Sequence, residues 1–295
     1  MSGAVTAEVY GPGEGEVVES GDVRLDTHLD GPKGGEVLLL VSGLSRQRIE
    51  WPVALPAALH AAGLRTLTVD NRDVGHSTKF EAADGDGPPY LLADFAADHL
   101  GVLDHYGLDR VHVLGVSMGG MISQQLAIDH GQRLLSLTSV MSTTGDSSVG
   151  RATDEAMAVL TTPAPTEREA FVEHTLRSAR VIGSPGLVDE AATRARAGAA
   201  FDRCFHPQGV LRQIQAIVGS GNRTEALGDL DVPTLVVHGA EDPLISVSGG
   251  EATAAAVPGA RLHVIEGMGH DLPMAFLPEL VGAVVGHVRD ASPRD

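Results

Sequence analysis

Residues 110–130 read RVHVLGVSMGGMISQQLAIDH, and the prediction of the fold starts from this stretch. An apolar run of strand length, Arg110 to Val116, leads into the pattern G-x-S-x-G at Gly115-Val116-Ser117-Met118-Gly119, and an amphipathic helix is predicted to follow. A serine on such a strand–turn–helix unit projects its hydroxyl from the sheet edge, and the flanking glycines relieve the crowding of the turn. The start of the helix directs N–H groups to the same place. We therefore predict that Ser117 is a nucleophile; a serine that only forms a tight turn is the alternative.

On both sides of this unit, apolar runs of strand length alternate with helical periods. Continuous apolar runs are typical of a parallel sheet that is covered on both faces. The predicted strands are Val37 to Val41, Leu64 to Val69, Arg110 to Val116, Leu134 to Val140, Pro233 to Val237 and Arg261 to Ile265. The predicted helices are Trp51 to Ala62, Leu91 to Tyr106, Gly119 to His130, Gly249 to Val257 and Pro273 to Arg289. The alternation predicts an α/β fold, and the residues before Gly35 predict a pair of short strands.

The alternation breaks once, between Met141 and Pro233. About ninety residues there have helical character and no convincing strand, and proline and glycine residues divide them into about four short helices. We interpret residues 145–229 as a helical cap inserted into the α/β core, which then comprises residues 1–144 and 230–295.

A serine nucleophile needs a base within hydrogen-bond reach and a third group that orients the base. The strand ending at Val237 is followed by His238-Gly239-Ala240-Glu241-Asp242-Pro243, and the strand ending at Ile265 is followed by Gly267-Met268-Gly269-His270. Parallel sheets carry their chemistry at the carboxyl ends of the strands, so Asp242 and His270 are the candidate partners of Ser117. Glu241 is the rival acid, and His238 has a structural interpretation.

The segments LLLVSGLSRQRIEWP, VDNRDVGHSTKF, GVSMGGMISQQLAIDH and HGAEDPLI carry a family resemblance. From Glu36 to the last helix the chain resembles the α/β-hydrolase superfamily, and within it the bacterial esterase group that includes the aclacinomycin methylesterase. The resemblance implies an α/β-hydrolase fold, with a mostly parallel central sheet flanked by helices. It also implies Ser117 as nucleophile, His270 as general base and acid, and Asp242 as the orienting carboxylate. No cofactor is implied.

An oxyanion hole needs two N–H donors directed to the developing negative charge. The amide of Met118, directly after the nucleophile, is the first candidate, and the amide of Leu44 is the second. Many relatives carry His-Gly before the second donor, whereas this chain has Ser42 and Gly43. The serine leaves the side-chain support of the loop an open question.

Some polar and aromatic residues near the predicted site have two interpretations. Asp70, Arg72 and Asp73 resemble an acid–base group, but a turn braced by an internal ion pair explains them as well. The residues 46–48 could read a polar part of the substrate or form a solvated loop. Trp51 could line the acyl site or anchor a helix. The expected substrate-binding residues are Ser42, Gly43, Trp51, Met157, Leu160, Phe171, Leu176, Phe201 and Phe205.

Composition and charge limit the partners. The 39 acidic residues exceed the 21 basic ones, giving a net charge of −18, which disfavours nucleic acid and an anionic membrane surface as partners. The single cysteine, Cys204, excludes an internal disulfide, and no histidine spacing typical of a metal hydrolase occurs. We expect no metal, no membrane span and a cytoplasmic location. A small-molecule ester is the expected partner, and a homodimer is left open.

The expected function is hydrolysis of a carboxylic ester through an acyl-enzyme. A methyl ester or lactone of a small secondary metabolite is the substrate class that the resemblance implies. Three alternatives remain: a polyketide cyclase or dehydratase that uses the same pocket, a perhydrolase or haloperoxidase, and a ligand-sensing protein with the hydrolase fold.

Overall fold

The computed structural model describes residues 15–81 and 87–292. Its described residues form an eight-stranded sheet in the order β1-β2-β4-β3-β5-β6-β7-β8. Strand β2 pairs antiparallel with β1 and β4, and every other neighbouring pair is parallel. The strands are β1 Glu16–Ser20, β2 Val23–Asp30, β3 Val37–Val41, β4 Arg65–Val69, β5 Val111–Val116, β6 Leu134–Val140, β7 Thr234–Gly239 and β8 Arg261–Ile265. The predicted α/β fold with a mostly parallel sheet is confirmed.

Ten α-helices lie in the described part of the chain. They are α1 Ala54–Ala61, α2 Leu92–His105, α3 Met118–His130, α4 Asp154–Thr161, α5 Arg168–Ile182, α6 Glu190–Arg203, α7 Gln208–Ser220, α8 Thr224–Leu227, α9 Ser248–Ala256 and α10 Leu277–Ala291. Short 3₁₀ turns occupy Arg48–Glu50 and Gly131–Arg133.

Apolar side chains of the strands alternate between two cores, as the two-residue repeat of a strand requires. On β3, Leu38 and Leu40 join a core built with α1 and α10, whereas Leu39 and Val41 join a core built with α2 and α3. All four side chains are fully buried. Burial on both faces explains why the sequence of this strand shows a continuous apolar run.

Helix α3 differs from the amphipathic helix that its sequence predicts. Nine of its 13 residues are buried, among them Ser123 and Gln124. Polar residues here are therefore interior residues with partners: Ser123 Oγ donates to the Gly119 carbonyl, and Gln124 Nε2 donates to Ser139 Oγ. Helices α2 and α8 both pack against α3, which leaves it little exposed surface.

Residues 145–229 hold helices α4 to α8. Two of these helices begin at side-chain caps: Thr153 Oγ1 accepts from the Ala156 amide and Asp189 Oδ1 from the Ala192 amide. The structure has four helices of eight residues or more in this region and adds the single turn α8. We refer to this region as the cap.

Ion pairs attach the cap to the core. Arg203, at the end of α6, pairs with Asp26 and, at 2.7 Å, with Asp70. Arg212 on α7 makes a bidentate pair with Asp73, at 2.8 and 2.9 Å. Asp70 and Asp73 therefore pair with arginines of the cap, and the prediction of an ion pair within residues 70–73 is wrong.

The remaining member of that charged run also has a distant partner. Arg72 pairs with Asp98 on α2, with both hydrogen bonds at 2.7 Å. The charged residues 70–73 therefore pair with the cap and with α2. The local sequence gives no indication of these distant partners.

Candidate active site

Ser117 lies in the sharp turn between β5 and α3. Its φ of 57° and ψ of −120° lie outside the region that most residues adopt. The flanking glycines are required by space, because a Cβ on Gly115 would lie 2.1 Å from the Gly119 carbonyl oxygen. A Cβ on Gly119 would lie 2.0 Å from the carbonyl oxygen of Val41. The predicted strand–turn–helix geometry therefore holds at this serine.

Three predicted residues from three strand ends are brought together. His270 Nε2 lies 3.0 Å from Ser117 Oγ, and His270 Nδ1 lies 2.7 Å from Asp242 Oδ2. The carboxylate of Asp242 is buried and the imidazole of His270 is nearly so. The arrangement is a serine–histidine–carboxylate chain in which each group is within hydrogen-bond distance of the next.

Backbone amides fix the second oxygen of Asp242. Its Oδ1 accepts from the N–H groups of Leu244 and Ile245, both at 2.9 Å. The rival acid Glu241 is exposed, and its backbone N–H donates to the Met268 carbonyl. The structure therefore brings Asp242, and not Glu241, to His270.

His238 supports the same loop without contacting the serine. Its Nε2 lies 2.7 Å from the carbonyl oxygen of Ile245. Burial lowers the pKa of His238, so the neutral ring donates this hydrogen bond. The structural interpretation of His238 matches this contact.

The end of cap helix α5 holds the loop that carries His270. The backbone N–H of His270 donates to the Ile182 carbonyl at 2.7 Å, and the Gly269 N–H donates to Ser184 Oγ at 2.9 Å. Ser184 in turn donates to Asp271 Oδ1 from its hydroxyl, at 2.6 Å, and from its amide, at 2.9 Å. Burial raises the pKa of Asp271. No motif in the sequence indicated Ser184 or Asp271.

Of the two residues predicted to donate into the oxyanion hole, Met118 directly follows Ser117 and Leu44 follows Gly43 in the loop after β3. The loop after β3 passes so close that a Cβ on Gly43 would lie 3.4 Å from Ser117 Cβ. In the described part of the chain, neither the Leu44 nor the Met118 amide donates a hydrogen bond. The buried Ser42 gives its carbonyl to the loop's support, accepting from Asn71 Nδ2 at 3.1 Å.

The predicted wall residues of the cap fall into two groups. Phe171, Phe201 and Phe205 form a half-buried aromatic cluster with ring centroids 4.6 to 5.6 Å apart. Leu176 is fully buried and Leu160 is half-buried, whereas Met157 is 46% exposed.

The residues 46–51 have structural contacts. Trp51 is buried in the core formed with α1 and α10, which matches its interpretation as a helix anchor. Gln47 donates to the carbonyls of Ala200 and Cys204 in the cap. Arg48 is buried and pairs with Asp26, while Arg46 pairs with Glu50. Gln47 and Arg48 are therefore held by contacts inside the protein, whereas the side chain of Arg46 is half exposed.

The described residues contain neither a metal-binding cluster nor a membrane-spanning helix. Within 15–81 and 87–292, no three side chains of His, Cys, Asp or Glu are arranged to hold a metal ion. Over the same residues, no helix combines the length and the apolar character that crossing a membrane requires.

Comparisons with known proteins identify relatives in sequence and in fold. The rhodomycin D methylesterase of Streptomyces sp. strain C5 is 30% identical over 279 residues, covering 86% of this chain and 91% of the relative. The protein of the same description from Streptomyces peucetius is 30% identical over 278 residues, with coverages of 86% and 91%. Among solved structures, the meta-cleavage product hydrolase of Pseudomonas fluorescens IP01 superposes with a TM-score of 0.77. That match covers 95% of this chain and 99% of the other at 18% identity, so it concerns the fold alone.

A family profile described as the alpha/beta hydrolase family matches residues 38–282. This range includes the turn at Ser117, the cap and the loops of Asp242 and His270. The chain belongs to the alpha/beta hydrolase family.

Proposed function

We propose that the protein hydrolyses a carboxylic ester through an acyl-enzyme formed on Ser117. The observation that carries the proposal is the chain from Ser117 Oγ through His270 to Asp242, with distances of 3.0 and 2.7 Å. The amides of Met118, directly after Ser117, and of Leu44, next to Gly43 in the loop that passes Ser117, have no acceptor among the described residues. Nucleophile, base, orienting acid and oxyanion donors are the four parts that acyl transfer needs.

Acylation begins with transfer of the Ser117 hydroxyl proton to His270 Nε2. Serine Oγ then bonds to the ester carbonyl carbon, and the carbonyl oxygen becomes an oxyanion that accepts hydrogen bonds from the amides of Leu44 and Met118. When the intermediate collapses, the ester C–O bond breaks and His270 gives its proton to the leaving alcohol. The product of this half-reaction is the free alcohol and an ester on Ser117.

Deacylation follows the same steps, with water as the nucleophile. His270 Nε2 takes a proton from water, whose oxygen attacks the acyl carbon, and the proton returns to Ser117 as its oxygen leaves. Asp242 keeps the histidine in the required tautomer, because its Oδ2 accepts from Nδ1–H and leaves Nε2 free to act as a base. The amides of Leu244 and Ile245 hold the carboxylate for this role.

The proposed substrate is a methyl ester or lactone of a small secondary metabolite. Two relatives at 30% identity are described as methylesterases, which supports the methyl ester. We propose that the cap covers the acyl site and that its half-buried cluster of Phe171, Phe201 and Phe205 forms part of an apolar wall. Aromatic rings of this kind favour flat, apolar substrate groups.

Mass spectrometry of the intact protein after treatment with a fluorophosphonate tests the nucleophile. We expect one adduct that is absent from Ser117→Ala, and hydrolysis of 4-nitrophenyl esters of short acyl chains. A folded sample that forms no adduct contradicts the proposal. Rapid labelling without turnover of any ester would favour a cyclase or a ligand sensor over a hydrolase.

Paired substrates test the ester class. Methyl and tert-butyl esters of the same aromatic acids present one acyl group with leaving alcohols of different size. We expect the methyl esters to be cleaved with the higher kcat/KM. Equal rates for the two alcohols would contradict a methylesterase.

A further inference from the structure

Two buried carboxamide side chains hold the short loop that carries Leu44. Asn71, which follows β4, donates from Nδ2 to the Ser42 carbonyl at 3.1 Å. Gln213, on cap helix α7, accepts from the Ser45 N–H through Oε1 at 2.9 Å. Asn71 is 2% exposed and Gln213 is not exposed at all. The Asn71 contact is buried, and the Gln213 contact is part-buried because Ser45 itself is exposed. Loss of either leaves a polar atom of a buried carboxamide without a partner, which is costly.

The two contacts flank the peptide group that carries the predicted oxyanion donor, the Leu44 N–H. The Leu44 N–H belongs to the peptide between Gly43 and Leu44, which lies between the peptide held by Asn71 and the peptide held by Gln213. The carbonyl of this middle peptide accepts from the Arg46 N–H at 3.2 Å. Because the carbonyl and N–H of a trans peptide point in opposite directions, the Leu44 N–H points away from that turn. The three hydrogen bonds together set its direction.

The loop also needs to be held, because it is strained. Ser45 has a φ of 62°, in the left-handed region that is unfavourable for residues other than glycine. Such a residue persists where the surrounding contacts impose it. We infer that Gln213 and Asn71 are positioning residues that aim the Leu44 amide at the oxyanion, an inference that rests on the proposed function.

Each carboxamide is itself fixed at its other end. Gln213 Nε2 donates to the Arg72 carbonyl at 3.0 Å, so its Oε1 is the atom that faces Ser45. Asn71 Oδ1 lies 3.1 Å from His99 Nε2. Burial lowers the pKa of His99 to about 4, so the ring is neutral and donates from Nε2. The Ser42 carbonyl can only accept, which agrees with this orientation of the Asn71 amide.

Gln213 makes the cap a part of the oxyanion hole. Arg212, the residue before Gln213, anchors helix α7 to the core through its bidentate pair with Asp73. A single cap side chain then bridges the loop after β3 and the loop after β4. The hole is therefore complete only when α7 is seated on the core.

Replacement of Gln213 by methionine removes both hydrogen bonds and keeps the side-chain length. We expect Gln213→Met to lower kcat for 4-nitrophenyl acetate about tenfold, less than the hundredfold typical of deleting a donor, with KM within about twofold. The control is Gln215→Met, two residues later on the same helix, where the side chain is exposed. This control should match the wild-type protein in both constants.

A thionoester distinguishes a positioning role from general damage. Sulfur in place of the carbonyl oxygen is larger and accepts hydrogen bonds weakly, so a well-aimed hole favours the ester over the matching thionoester. We expect Gln213→Met to reduce this preference, measured as a ratio of kcat/KM values, about as much as it reduces kcat. An equal fall for ester and thionoester, or no fall, would overturn the inference.

Asn71→Ala tests the other end of the loop and keeps the inference falsifiable if Gln213→Met does not fold. It should produce the same reduced preference for the ester. An unchanged ratio in folded Asn71→Ala would also overturn the inference. A wild-type protein that neither turns over the ester nor forms a Ser117 adduct would instead refute the proposed function, and the oxyanion assignment with it.

Discussion

Ser117 illustrates how single residues hold the site. A positive φ costs an ordinary residue about 1–2 kcal/mol, so the turn depends on its hydrogen bonds. The Ser117 amide donates to the Val140 carbonyl at 2.9 Å, and the Ser117 carbonyl accepts from Ser142 Oγ at 2.8 Å. The turn itself could be predicted, because its glycines are local in sequence. Ser142 could not, because nothing in the motif points to a residue just beyond the end of the next strand.

Asp242→Asn tests the orienting role of the acid. If the asparagine oxygen keeps the amides of Leu244 and Ile245, its NH₂ group faces His270 Nδ1 and donates to it. The ring then carries its proton on Nε2 and cannot accept the Ser117 proton. We expect kcat for a nitrophenyl ester to fall by a factor on the order of 10⁴.

Glu241→Gln is the matched control for that variant. Glu241 is the neighbouring acid and is exposed, so its neutral analogue should keep the wild-type rate. Equal losses in Asp242→Asn and Glu241→Gln would contradict the assignment of the acid.

The proximity of Ser117, Asp242 and His270 could be predicted from the sequence, but the contacts that support them could not. Ser117, Asp242 and His270 each follow an apolar run of strand length, and a parallel sheet gathers such positions at one edge. Asn71, Gln213 and Ser184 carry no comparable signal, because their contacts join residues 29, 168 and 87 positions apart. The seating of the cap brings Gln213 and Ser184 to the catalytic loops, whereas Asn71 is placed by the end of β4.

At the scale of elements, the end of α5 clamps the histidine loop. Ser184 is the centre of the clamp, since its hydroxyl donates to Asp271 and accepts from the Gly269 amide. The backbones touch as well: a Cβ on Gly269 would lie 2.5 Å from the carbonyl carbon of Gly183. Residues 267–270 therefore take their position from the cap as well as from β8.

Ser184→Ala removes this link and should displace the imidazole slightly. We expect kcat to fall about tenfold or more, because small misplacements of a catalytic group are costly. The control is Ser178→Ala on α5, the helix that ends two residues before Ser184; its hydroxyl donates to the His174 carbonyl one turn earlier. Steady-state kinetics together with thermal unfolding separate displacement from loss of fold. Parallel losses in both variants would point to a general effect on α5.

Helix α10 offers an element-scale test of stability away from the site. Gly282 and Gly286 lie in its interior, are exposed, and would have no atom within 4 Å of an added Cβ. Alanine at either position should raise the free energy of unfolding by about 0.5–1 kcal/mol, because glycine disfavours helix interiors. Denaturant unfolding measures this gain, and kcat should not change. A loss of stability in both variants would contradict the open surroundings of these positions.

At the scale of the whole molecule, ion pairs join the cap to the core. The cap supplies the arginines and the core supplies the carboxylates, as in the pairs of Arg203 with Asp26 and Asp70. These carboxylates are buried, so the acidic surplus of the chain is used in part to seat the cap. The strand pattern predicts the core because its signals are periodic. The position of the cap on the core depends on ion pairs between residues far apart in sequence. Such pairs leave no periodic pattern from which they could be predicted.

Arg203→Met tests this attachment. The variant leaves the fully buried Asp70 without its cationic partner, and breaking a buried pair typically costs about 3–5 kcal/mol. Arg168→Met breaks an exposed pair with Asp202 within the cap and should have little effect. Urea unfolding of both variants gives the comparison. Equal stabilities would show that the pairs of Arg203 contribute little to the fold.

Burial keeps several histidines neutral in the folded chain and so makes stability depend on pH. Burial lowers the pKa values of His99, His112, His238 and His287. A depressed pKa means that the unfolded chain binds protons that the folded chain does not. The contribution of these histidines to the free energy of unfolding is therefore fully present above the ordinary histidine pKa of 6.5 and is lost as the pH falls below it. Burial raises the pKa values of Asp98 and Asp271, which contribute with the opposite sign.

His99 gives this effect a measurable size, because its folded pKa of about 4 sets a window from pH 6.5 down to about pH 4. Between about pH 7.5 and pH 6 its contribution to the free energy of unfolding should fall by roughly 1 kcal/mol. His99→Gln keeps a donor for Asn71 but cannot be protonated, so its loss of stability over the same interval should be smaller by that amount. The aspartates are present in both proteins, so their contribution cancels in the comparison. If His99→Gln and the wild-type protein lose the same stability over this interval, the neutral buried state of His99 is wrong, and with it the direction of its hydrogen bond to Asn71.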